Sequence, residues 1–275
     1  MNFWENALSG RIDFHVNLLP DFARSNVSAA AIPDESDHLR HCFDLPATSK
    51  LNATCDTPTI IAAMDRGNVE RSVVFSYQWK NPERCRVANE TVAAAVLANR
   101  ERLYGLAVVQ PRDRASVDDL ERLLKLPNMY GVKMKPRWGG FALSDIDLMA
   151  PICELLIATD SFLLTHVSQG FHKPTGDQIS DLFALMMNFP KLNVVAAHMA
   201  GFAGVYECYQ PAKKLMDRLW VDVSLPSNLK WLPHLMRLGN PERYLYATDW
   251  PYTDYEKFDC LLDEVGLTEK RKASP

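Results

Sequence analysis

The stretch Arg11-Ile12-Asp13-Phe14-His15-Val16-Asn17-Leu18-Leu19 alternates polar with apolar side chains. In a strand successive side chains face opposite ways, so Asp13, His15 and Asn17 are expected on one face, and Ile12, Phe14, Val16 and Leu18 on the other. A surface strand also alternates, yet it rarely carries Asp, His and Asn in succession on its wet side. Such a face suits the mouth of a barrel, where His15 and Asn17 would be neighbours placed to grip one ion or one substrate.

The rest of the chain repeats the motif of a strand followed by a helix. Further strands are expected at 69–77, 104–110, 130–136, 162–170, 192–201, 219–225 and 243–249. Helices are expected at about 57–66, 83–101, 116–126, 144–160, 180–188, 207–219, 231–238 and 256–265. The first of these opens on Thr57-Pro58, with Thr57 as N-cap and proline at the first helical position. The strand centres are almost continuously apolar, as in parallel strands buried on both faces. Eight such units predict an α/β fold, a single-domain (β/α)8 TIM barrel over residues 1–275. An open doubly wound sheet fits less well, because no Gly-rich dinucleotide loop follows the first strand. Residues 20–57 read as one long irregular loop carrying His38 and His41, expected to serve as an active-site lid or wall.

Composition narrows the partners. With 47% hydrophobic and 23% charged residues, the 275-residue chain has ample material for the core of a large barrel. The net charge of −4 lacks the basic excess of a nucleic-acid or anionic-membrane binder. No apolar run approaches the ~18 residues of a membrane span. The first residues lack the basic and apolar regions of a secretory signal. Cys42, Cys55, Cys85, Cys153, Cys208 and Cys260 are scattered without CxxC spacing, which predicts reduced thiols in a cytoplasmic protein rather than a zinc knuckle or a disulfide framework. The expected partner is a small-molecule substrate, with no nucleic acid and no membrane.

In such barrels the working residues sit at the C-terminal ends of the strands. That filter selects His15 and Asn17 on strand one, Lys133 and Lys135 on strand four, His166 on strand five, His198 on strand six and Asp249 on strand eight. Imidazole with carboxylate is a ligand set for Zn²⁺ and similar ions, and a histidine left over could act as general acid or base. Lys133 and Lys135 lie two apart and share a face. Together with Arg137 they could hold a substrate carboxylate. Trp138, Trp250, Tyr252 and Phe171 lie just past strand ends, where they could wall an aromatic substrate.

Five segments carry a family likeness: Ile12-Asp13-Phe14-His15-Val16-Asn17, residues 131–136, residues 164–167, residues 197–201 and residues 245–251, the last ending Thr248-Asp249-Trp250-Pro251. In these the chain resembles the amidohydrolase-related TIM-barrel proteins, the group of aminocarboxymuconate-semialdehyde decarboxylase, resorcylate-type decarboxylases and pyrone-dicarboxylate lactonase. The resemblance implies one divalent metal ion, zinc or manganese, on His15, His166 and Asp249. It makes His198 either a further ligand or the residue that activates water or handles a proton, with Asp249 sharing that work. Asn17, Lys133, Lys135 and Trp250 are the expected substrate contacts. Asn17 stands where the family usually has the second histidine of a His-x-His pair, so a metal-free, lactonase-like site is the alternative. The implied activity is hydrolysis of a small carboxylated substrate, a lactone or a cyclic or aryl amide. The alternatives are non-oxidative decarboxylation of a small aromatic or unsaturated acid, and a non-catalytic relative. A homodimer is expected by analogy alone.

Overall fold

Residue Val16 has no exposed surface, and every residue of the strand that contains it, β1 (Ile12–Asn17), is buried. In the computed structural model, which describes residues 11–24, 35, 46–167, 176–224 and 226–267, this strand is one of eight. The others are β2 (Arg71–Phe75), β3 (Leu103–Ala107), β4 (Met129–Met134), β5 (Phe162–Thr165), β6 (Asn193–Ala196), β7 (Leu219–Asp222) and β8 (Tyr244–Leu245). Each pairs in parallel with the next in sequence order. The first and last meet through a parallel bridge between Val16 and Trp250, with Phe14 N–H donating to Tyr246 O and Asn17 N–H to Trp250 O, both at 3.0 Å. The architecture is a single-domain (β/α)8 TIM barrel.

The helices that wrap it include α1 (Asp21–Arg24), α2 (Pro46–Asn52), α3 (Thr57–Arg66), α4 (Pro82–Ala98), α5 (Ala115–Leu124), α6 (Pro136–Gly139) and α7 (Ile146–Ala158). The series continues with α8 (Ile179–Asn188), α9 (Gln210–Met216), α10 (Leu232–Leu238) and α11 (Tyr255–Glu264). The cap of α3 is Asp56, one position earlier than expected, since its carboxylate accepts the Thr59 N–H at 2.9 Å. Helices α1 and α2 stand where the sequence suggested only irregular chain. Residues 25–34 and 36–45 of the expected lid, with His38 and His41, lie outside the described residues, as does Phe171. The described cysteines are unbridged, and no helix among the described residues is long and apolar enough to cross a membrane.

Strand alternation divides the apolar residues between two compartments. Ile12, Phe14, Val73, Phe75, Leu106, Phe162, Leu164 and Val195 fill the barrel interior. Val16, Val74, Val132, Met134, Leu163 and Val194 face the helices. On β1 the alternation is interrupted. Asp13 pairs with Ser72 and Val16 with Val74, so three steps of β1 oppose two of β2, which is a β-bulge. The bulge corrects the expectation of a single polar face. Asp13 turns outward, accepting the Thr248 hydroxyl at 2.5 Å, Thr248 N–H at 3.1 Å and His15 N–H at 2.9 Å. His15 and Asn17, beyond the bulge, turn inward.

Strand six is also shorter than its apolar sequence implied. After Ala196 the backbone enters a left-handed turn, with φ of 57° at His198, 54° at Met199, 51° at Ala200, 58° at Gly201 and 68° at Phe202. A 3-10 segment to Cys208 then leads into α9, which occupies only part of the helix expected over 207–219.

Candidate active site

The C-terminal strand ends surround a pocket that opens to solvent, the place where barrels of this kind carry their working residues. His15, Asn17, Lys133, His166, His198 and Asp249 form its polar floor, while Phe75, Tyr77, Trp138 and Tyr252 form an aromatic wall. His15 is 3% exposed. Its Nδ1 is 2.7 Å from Asp222 Oδ2, and its Nε2 lies 3.2 Å from Asp249 Oδ1 and 3.5 Å from Lys133 Nζ. Asp249, like His198, adopts a left-handed backbone (φ 58°). Non-glycine residues rarely do so, and such outliers gather at functional sites. The His198 ring centroid is 5.1 Å from that of His15 and 4.9 Å from that of His166. His166 Nδ1 is tied to the buried Asp177 at 2.8 Å.

Burial controls the charges. It lowers Lys133 to about 7, against the pull of Asp222 and Asp249. It also drives His198 well below the ordinary imidazole value, helped by the neighbouring His166 and His15. For Asp222 burial would raise the carboxyl, but its charge interaction and hydrogen bond with His15, together with His198 and Lys133, hold it well below the usual range. The floor at neutral pH therefore contains a fixed anion beneath neutral imidazole.

One ligand atom from each of His15, His198 and Asp249 lies within 4.8 Å of the others. Two imidazoles and a carboxylate with the pocket open above them fit a divalent ion of the three-ligand kind. The buried carboxylate on His15 Nδ1 is the support that ligating histidines commonly have. The resemblance implied His166 as the third ligand. In the structure His198 joins the tight group and His166 stands beside it. Asn17 turns its amide nitrogen to the site, donating to Asp249 Oδ1 at 3.0 Å and to Trp250 O at 2.7 Å.

Other expected contacts divide. Lys135 lines the pocket with Nζ 3.7 Å from the Trp138 ring centroid, whereas Arg137 is exposed. Trp250 is corrected: its indole stacks on Tyr255 of α11 at 5.9 Å in the layer between barrel and helices. The step from the inward Asp249 to the next residue carries that side chain outward, while its carbonyl accepts from the Asn17 amide. Tyr77 hydroxyl, 2.8 Å from Asn52 Oδ1 and 2.5 Å from Tyr252 hydroxyl, joins α2 to the aromatic wall. The sequence reading passed over Tyr77, Asp177, Asp222 and Ser224. Asp222 and Ser224 carried the signal that flagged the others, polar residues at the end of an apolar strand.

A model of the amidohydrolase family (Amidohydro_2) matches residues 12–271. The decarboxylase orsB of Emericella nidulans is 24% identical over 264 residues, covering 77% of this chain and 80% of that protein. A 5-carboxyvanillate decarboxylase from Novosphingobium aromaticivorans, solved with manganese and 4-hydroxy-3-methoxy-5-nitrobenzoic acid, superposes with a TM-score of 0.77 at 16% identity, over 95% of this chain and 92% of that one. A probable 2-pyrone-4,6-dicarboxylic acid hydrolase from Acinetobacter baumannii, with citric acid bound, gives a TM-score of 0.65 at 16% identity, over 96% of this chain and 94% of that one.

Proposed function

This chain belongs to the amidohydrolase family, and on that premise we propose that it catalyses the metal-assisted, non-oxidative decarboxylation of a small aromatic or unsaturated carboxylic acid. One observation carries the reading: a buried lysine, Lys133, lies with its Nζ 4.8 Å from the Phe75 ring centroid and beside the His15–Asp249 pair. A planar acid could set its carboxylate against Lys133 and the histidines while its ring lies along Phe75, Tyr77 and Trp138. Two of the three relatives described are decarboxylases, which favours this reaction over the hydrolysis that the sequence reading put first.

A divalent ion on His15, His198 and Asp249 would polarise the substrate oxygens and draw electron density from the breaking bond. Manganese, bound in the Novosphingobium structure, is the ion to test beside the zinc suggested by the donor set. Lys133, when protonated, fixes the carboxylate by a charge-assisted hydrogen bond. As the carbon–carbon bond breaks, its electron pair stays on the ring carbon and CO₂ leaves. His166 then delivers the proton, since Asp177 stabilises its imidazolium and its side chain, 19% exposed, can recover a proton from solvent.

The test is turnover of a panel of hydroxybenzoic acids in D₂O with manganese or zinc. The expected products are one CO₂ and one ring deuterium per substrate. Water uptake with every carbon retained would return the protein to the hydrolases. The variant His166→Asn is expected to lose about 10²–10⁴-fold in turnover while keeping its metal. Loss of the metal instead would restore His166 to the ligand role that the resemblance implied.

A further inference from the structure

Strand β7 runs into Asp222-Val223-Ser224, whose two polar side chains lie beneath the pocket floor. Asp222 is fully buried, and donors converge on it from three residues. Oδ2 is 2.7 Å from His15 Nδ1, while Oδ1 receives the His198 backbone N–H at 2.9 Å, the Ser224 hydroxyl at 2.6 Å and the Ser224 N–H at 3.2 Å. The same Ser224 oxygen lies 2.8 Å from His198 Nδ1. The result is a continuous chain of hydrogen bonds, His15–Asp222–Ser224–His198, linking two imidazoles from opposite parts of the barrel sequence.

Proton counting fixes its polarity. A carboxylate only accepts, and a hydroxyl has one proton to give. With that proton directed at Asp222, the Ser224 oxygen can meet His198 only as an acceptor, so His198 Nδ1 must bear a hydrogen. His15 Nδ1, facing the other carboxylate oxygen, must bear one too. We propose that Asp222 and Ser224 act as one positioning pair, keeping a hydrogen on Nδ1 of both His15 and His198, so that each ring, when neutral, turns an unprotonated Nε2 to the pocket. Both imidazoles are then acceptors, suited to be ligands or bases and unable when neutral to donate from Nε2. The assignment depends on the proposed function only for the use made of those nitrogens, since the tautomers can be read without any reaction.

Long-range ¹H–¹⁵N spectra of the full chain in chelator, above neutral pH, read the tautomers directly, with signals assigned by single His→Gln variants. The wild type is expected to show His15 and His198 protonated on Nδ1. In Ser224→Ala, His198 loses its acceptor and should shift to a mixture or to the Nε2-protonated form, while His15 keeps its signal. Ser224→Thr, which retains the hydroxyl, should restore the His198 pattern. Asp222→Asn should disturb both rings and weaken manganese or zinc affinity by about 10–100-fold in competition with a chromophoric chelator. Should that variant not fold, Ser224→Ala still decides the matter. An Nε2-protonated His198 in the wild type, or a Ser224→Ala spectrum unchanged at His198, overturns the proposal. Expected tautomers without CO₂ release would remove only the decarboxylase reading. CO₂ release with the wrong tautomers would remove only the positioning pair.

Discussion

Asp13 is a carboxyl buried by the bulge that exposes its neighbour to the pocket. Burial raises it to about 6, although the hydrogen bonds from Thr248 and the His15 N–H oppose the shift. A carboxyl with a folded pKa above its unfolded value adds stability at low pH that is lost as pH rises through the folded value. For Asp13 that window runs from about 4 to about 6, and the loss by neutral pH is about 3 kcal/mol. Asp13→Asn keeps an acceptor for the two backbone N–H groups and cannot ionise. Relative to wild type, it should therefore gain about 3 kcal/mol between pH 4 and pH 7 in urea unfolding. A difference independent of pH would show that Asp13 is ionised at no such cost. His15, Asn17 and Asp249 were legible because polar residues at strand ends are read one at a time. Asp13 was misassigned because a bulge leaves no mark in polar–apolar alternation.

At the level of elements, the left-handed turn after β6 carries the most strain. Left-handed geometry disfavours residues with a Cβ by about 1–2 kcal/mol each, and Met199, Ala200 and Phe202 all adopt it between His198 and the 3-10 segment. In an ordinary helix Ala→Gly loses roughly 1 kcal/mol. Ala200→Gly should instead be neutral or stabilising by up to about 1 kcal/mol, since relief of strain offsets the lost methyl. A calorimetric melting point several degrees lower would contradict this. The opposite case is Gly131 on β4, where an added Cβ would lie 1.9 Å from the backbone oxygen of Phe162 on β5. Gly131→Ala should cost about 3 kcal/mol or more, because a strand backbone cannot step aside as a side chain can. Unfolding midpoints equal to wild type would rule out so close an approach. Hydrophobic runs located both strands, but Val194–Ala197 is apolar without a break, so nothing in its composition marked where, after Ala196, extended chain gives way to the turn.

The barrel as a whole was readable because eight strand–helix alternations leave few other topologies, whereas the tie from α2 to the pocket wall was not, since Asn52 and Tyr77 meet only after folding. The close histidine–carboxylate group draws on β1 and on the residues just past β6 and β8, so an ion bound there should stabilise the entire barrel. At a hundredfold excess over its dissociation constant the gain is about 2.7 kcal/mol, or roughly 5–10 °C in melting temperature for a chain of this size. Thermal unfolding with manganese or zinc against chelator measures it, and His15→Ala should abolish the shift. Identical melting curves would argue against an ion in the group. The seam between first and last strands has a consequence for synthesis. Asn17 and Asp249 share a hydrogen bond across 232 positions of sequence. A ribosome adding ~5–20 residues per second takes on the order of 10–50 s to pass from one to the other. Throughout that interval β1 has been made but the residues that meet it across the seam have not. A nascent chain stopped short of Asp249 lacks the carboxylate that completes the His15–His198–Asp249 group and the seam that holds Asn17, so both are finished only once the residues after β8 have been made.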